Sequence, residues 1–281
     1  MALTYDEIKT HSKAVKTLTD KAVDELSEKI GMYASEGRSR YQVATIVRQK
    51  VRAVADKYGA SAQELGAQWY EYCARKAGVD VEPAVVGEID YDGIDAHFQN
   101  LLDDYVSGGE TWAQVETKIA DVFENELRGL ERGAIIENLD RDERTSRRGG
   151  RKYNAGYARV PVGETCAWCF MLASLGYWYR SYESAGGLDP DHYHMHCDCD
   201  VVAYNDPTDI DGYDDYAEYQ RMYYDAKADW DSKNISDDMA KRIEAAKQQH
   251  MDRYEAGIYK QPWTQYNAVL MIMRENEGLE H

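Results

Sequence analysis

Two short stretches limit the folds open to this chain more than anything else in it: "TCAWC", with Cys166 and Cys169, and "DHYHMHCDC", with His192, His194, His196, Cys197 and Cys199. Zinc prefers four tetrahedral ligands of thiolate and imidazole type, usually delivered as two close pairs separated by a loop. Cys166 and Cys169 form a CxxC, a spacing that lets a tight turn aim both sulfurs at one point. His194 and Cys197 repeat that spacing, and Cys197 and Cys199, two apart on an extended segment, face the same side. The favoured ligand set is Cys166, Cys169, His194 and Cys197, with Cys199 able to replace either member of the second pair. A disulfide and plain burial of reduced thiols are the alternatives. A full set of thiolates and imidazoles leaves no open position for a nucleophilic water, so the suspected zinc is structural and catalysis at it is not expected. Five cysteines in 281 residues is an odd, sparse count. It fits a metal or redox site in a cytosolic protein better than a disulfide framework. Cys73, in "WYEYCARKAG", reads as a buried thiol.

The rest of the chain reads as helix. Thr4 with Glu7, Ser61 with Glu64, and Thr111 with Gln114 have the spacing of capping boxes, and each is expected to open a helix. Ile8, Val15, Leu18, Ala22, Leu26 and Ile30 fall on one face of the first helix, and Val115, Ile119, Val122, Leu127 and Leu130 on one face of another. A connector, "VEPAVVGEIDYDG", leads into a shorter helix through Leu101 that ends at Gly108 and Gly109. The fold expected is mainly α. It comprises an N-terminal helical region (1–82), a connector and helical region (83–138), a small α+β Cys/His-rich module with short strands (139–206), and an acidic, Tyr-rich helical tail (207–281). In that tail Tyr213, Tyr216, Tyr223 and Trp230 form a stripe best read as a half-buried core face, a partner-docking surface being the other reading. The last residues, "LEH", resemble the start of an expression tag.

Charge excludes some functions and localises others. A formal charge of −18 opposes sequence-independent attraction to nucleic acid, which depends on Lys and Arg releasing condensed counterions. The one basic stretch carries Arg141, Arg144, Arg147, Arg148, Arg151, Lys152 and Arg159, so any contact with DNA is expected there; a solvated helical face is the competing reading. Neither a long apolar run nor an export signal is present, and no membrane role is expected.

The segment "YARVPVGETCAWCFMLASLGYWYRSYESAGGLDPDHYHMHCDCDVVAYND", residues 157–206, resembles the phage minor head proteins related to the Mu F protein. The likeness is strongest to the branch common in phages and prophages of actinobacteria. It lies in "YARVP" leading to TCxxCxMLAS, an aromatic stretch with "YxS", and HxxCxC before a short apolar strand. The resemblance implies a minor capsid protein acting in virion assembly. Such a protein would sit in the capsid interior or at the portal vertex, and in the host cytoplasm while particles assemble, with portal or capsid proteins as partners and packaged DNA as a further one. Carried onto this chain, the pattern's cysteine and histidine positions are Cys166, Cys169, His194, Cys197 and Cys199. His196 stands at a variable position, and Leu175 where an arginine is expected.

Two other readings compete with this one. A metal-dependent nuclease or toxin-type effector would use Asp191 and His192 beside a metal, but needs a later Asn or His on a helix, for which His250 in "KQQHMDR" is a poor fit. A transferase built on "YRSYES" and Glu183 is weaker still. A bacterial zinc-ribbon-like binding protein without a virion role is the remaining possibility.

Overall fold

A computed structural model describes residues 2–34, 36–142, 156–163, 165, 167–176, 199–257 and 262–279. Among them are eight α-helices and one two-stranded sheet, so the protein is mainly α as expected. Helix α1 (Tyr5–Ala34) opens with the predicted box: the Thr4 amide donates to Glu7 Oε2 at 3.0 Å and the Glu7 amide to Thr4 Oγ1 at 3.2 Å. Its apolar stripe packs inward, with Ile8, Val15, Ala22, Leu26 and Ile30 buried and Leu18 partly so. Helix α4 (Trp112–Arg141) likewise begins at the Thr111/Gln114 box, and α3 (Tyr91–Ser107) ends at Gly108 with φ +91°, a conformation suited to glycine.

The expectation for Ser61 and Glu64 is overturned. Helix α2 runs unbroken from Arg40 to Lys76 and is capped at Ser39, whose hydroxyl accepts from the Gln42 amide. A box starts a helix only where the chain outside it leaves helical geometry. Here the buried positions Val47, Val51, Val54, Ala55 and Ala62, then Trp69, Tyr70 and Cys73, stay in helical phase across Ser61, and packing on α1 and α4 keeps the helix going.

Strands β1 (Tyr157–Pro161) and β2 (Cys199–Ala203) pair antiparallel, with Tyr157 opposite Ala203 and Pro161 opposite Cys199. Both strands are buried throughout. Helix α5 (Ala167–Ser174) packs on β1, and α6 (Asp215–Ser232), α7 (Asp237–Glu255) and α8 (Gln265–Glu277) complete the chain. The outer edge of β2 is closed by side chains. At the strand period of two, the carbonyls of Cys199, Val201 and Ala203 accept from Arg132 Nη2 (3.0 Å), Trp69 Nε1 (3.0 Å) and Asn205 Nδ2 (2.8 Å). The tyrosine stripe is a half-buried core face as read: Tyr213 and Tyr223 are buried, and Tyr216 and Trp230 partly so.

Among the described residues, apolar packing falls into two clusters that cut across the linear divisions of the sequence. One joins the second half of α1, the first half of α2, α3 and the first half of α4. The other joins the start of α1, the end of α2, the end of α4, the sheet and α5 to α8. Each fully buried Phe or Leu in these clusters, such as Phe123 or Leu127, contributes about 1.5–3 kcal/mol. The long helices α1, α2 and α4 run through both clusters, and between the clusters they carry polar residues that are nevertheless buried.

Candidate functional site

That intermediate layer holds His11 from α1, Glu131 and Arg132 from α4, and Asp200 from β2, all buried. Each sits where its element must point inward. His11 falls between Ile8 and Val15 on the α1 stripe, and Glu131 lies one helical turn from Leu127 and from Ile135. Asp200 lies in a strand whose residues are all buried. His11 Nδ1 is 3.4 Å from Asp200 Oδ2, and its Nε2 is 3.5 Å from Glu131 Oε1. Trp69 of α2 stacks flat on the imidazole, centroids 4.3 Å apart and planes 4° from parallel. Tyr72 stacks in turn on Trp69 at 5.5 Å.

The electrostatics of the layer favour a retained proton. Burial pushes the Glu131 carboxyl up to about 7; His11 opposes this, Asp200 adds to it, and Arg132 and Arg128 oppose it. For His11, burial alone lowers the imidazole, but Asp200, by charge and by hydrogen bond, and then Glu131 outweigh it and raise the ring. Burial also drives the Cys73 thiol well above its usual range, so it is the inert buried thiol that its helical setting predicts.

Of the sequence-derived zinc candidates, Cys166, His194 and Cys197 lie outside the described residues. Cys169 on α5 and Cys199 at the start of β2 are described, and both are buried. Phe170, next to Cys169, meets Tyr219 with ring centroids 4.6 Å apart.

Of the basic run, Arg144, Arg147, Arg148, Arg151 and Lys152 lie outside the described residues, and Arg141 is exposed on the last turn of α4. Arg159 is fully buried within β1 and does not face a duplex. His250, on α7, meets Trp263 edge-on at 5.6 Å. No described helix is long and apolar enough to cross a membrane.

The His11, Glu131 and Asp200 grouping was not anticipated from sequence. The signal for two of its members was present, since a histidine and a glutamate stand in phase with apolar stripes, where solvent-facing residues do not belong.

No curated protein and no solved structure gives a significant match to the chain. The family profile described as "VG15 protein" matches residues 2–226, a span that takes in the polar layer, the sheet, α5 and most of α6. The chain therefore belongs to the VG15 family, a family of viral (phage) proteins.

Proposed function

We propose that the chain is a non-enzymatic minor head protein of a phage or prophage, of the MuF-like kind, held in the virion at the capsid interior or portal vertex. The observation that carries this reading is the β1–β2 ladder. It joins "YARVP" to "CDVVA", the two ends of the segment resembling those head proteins, in one buried unit set against α2, α4 and α5. Membership of a viral family supports the same reading.

In this account the Cys/His module is a structural knot. Cys166, Cys169, His194, Cys197 and Cys199 supply the ligands, four at a time, and a zinc ion there cross-links the two arms of the module without supplying chemistry. The remaining surfaces serve contact. The α1–α2 end of the helical half exposes Met32 and Tyr41, which suit docking to a portal or capsid protein. The basic run beginning at the exposed Arg141 is the segment suited to packaged DNA, through phosphate neutralisation by successive Arg side chains. His250, packed against Trp263 on α7, makes a poor second metal ligand for a nuclease, which favours the non-enzymatic reading.

Mass spectrometry of gradient-purified particles from a host carrying the gene tests the proposal. The chain is expected to co-sediment with full heads at a fixed ratio to the portal protein, and the purified protein to leave plasmid intact in magnesium or manganese. Recovery only from the unassembled fraction, or cleavage of the plasmid, contradicts it.

A further inference from the structure

The polar layer between the two apolar clusters holds donors of the type that bind metals. His11, Glu131 and Asp200 each offer one ligand atom, and these atoms lie within 4.8 Å of one another. The His11–Asp200 hydrogen bond is long, at 3.4 Å, a separation that also suits two donors on one ion. His11 Nε2 and Glu131 Oε1 face each other at 3.5 Å, and neither has a hydrogen-bond partner among the described residues, although both side chains are more than nine-tenths buried. Leaving a buried polar atom without a partner is costly, and an ion would supply that partner. Two atoms bound to one ion at about 2.1 Å and a tetrahedral angle sit about 3.4 Å apart, close to the separation observed here.

Charge points the same way. Two carboxylates and a neutral imidazole carry the charge that a divalent ion cancels. Arg132 Nη2 donates to the Cys199 carbonyl at 3.0 Å and Arg128 Nε to Glu124 at 3.0 Å, and both also act on Glu131 by charge.

We propose that His11, Glu131 and Asp200 form a binding site for one first-row divalent cation. The ion ties α1, α4 and β2 together at the junction between the helical half and the Cys/His module. The site uses none of the cysteines of the zinc knot and does not depend on a virion role. One imidazole and two carboxylates form a harder ligand set than thiolates, so the site accepts manganese, which a cysteine knot does not favour.

The test titrates Mn2+ and, separately, Zn2+ into the full, chelator-stripped chain while following tryptophan fluorescence and thermal unfolding. Trp69, stacked on His11, reports occupancy. Bound Mn2+ is expected to quench it, Trp69→Phe to remove that quench, and Tm to rise by several degrees. Glu131→Gln keeps the shape of the neutral carboxyl and loses the anionic ligand. It is expected to lower Mn2+ affinity at least tenfold and to bind one equivalent of Zn2+ fewer, with helical circular dichroism unchanged. Asp200→Asn provides the same comparison should Glu131→Gln lose its fold. A wild-type protein whose Trp69 signal and Tm ignore both ions overturns the site. So do folded variants that bind both ions as tightly as wild type; either result makes the layer a hydrogen-bonded or hydrated cluster only.

Discussion

Glu7 does several things at the start of α1. Besides its part in the capping box with Thr4, its carboxylate pairs with Lys76 Nζ at 2.6 Å and accepts from the Tyr72 hydroxyl, joining α1 to the end of α2. Burial pushes its carboxyl up, but the Lys76 and Tyr72 hydrogen bonds outweigh burial and hold it down to about 2. A carboxyl depressed in the folded state contributes stability that is complete above its unfolded value and is lost as pH falls through the folded one. Acid titration followed by circular dichroism is therefore expected to show wild type losing an increment of stability from about pH 4.5 towards about pH 2. Glu7→Gln should lack that increment, and Glu7→Ala should cost about 1 kcal/mol at pH 7. Glu7 was legible in the sequence because a cap is a local device with a fixed spacing. His11 and Glu131 were not read from it, because helical period was followed through apolar residues alone. A polar side chain in phase with a buried stripe carries information only once its partner is known, and the partner Asp200 is 189 residues from His11.

At the scale of elements, the packing of α2 on α4 depends on Gly66. A Cβ there would lie 2.1 Å from the backbone oxygen of Glu131, so the helices approach closely beside the polar layer, and only glycine permits it. Gly66→Ala gains about 1 kcal/mol of helix propensity but must push backbone from backbone. Urea denaturation is expected to show a net loss of about 1–3 kcal/mol, and an unchanged or raised midpoint would refute the close approach. The closed edge of β2 has its own test. Trp69→Phe keeps an aromatic ring on His11 and removes the donor to the Val201 carbonyl. Leaving that buried carbonyl unpaired is expected to cost about 1–3 kcal/mol in the same assay. Strand β2 lies where a short apolar strand was expected after HxxCxC, whereas "YARVP", though its residues suit a pleated ribbon, was not read as the strand β1 that it forms. The extent of α2 was not legible either: Ser61 and Glu64 match a cap in spacing, and tertiary packing over the whole helix decides against it.

For the whole molecule, long helices cross two apolar clusters, with a polar layer at the crossing. The small sheet and the C-terminal helices close one of the clusters. The mainly helical class and the α+β character of the module followed from period and turn residues. The sharing of one core by the start of α1, the end of α4, the sheet and α5 to α8 did not, because burial partners distant in sequence leave no local spacing to read. The acidic segment from Asp206 to Asp238 is a case in point. Its tyrosine stripe was read as a core face, but not which elements cover it: the Tyr219, Met222, Tyr223 and Ala226 face of α6 packs against α5 and α8. In the proposed role the module's two arms are held by thiolate-bound zinc rather than by packing alone. Titrating the native protein with a mercurial reagent while measuring released zinc tests this most directly. Zinc is expected to leave stoichiometrically as the thiols of the CxxC and CxC react, with Cys73 unreactive until the fold opens. Thiols that react freely with no zinc released would contradict the knot on which the proposed head-protein role is built.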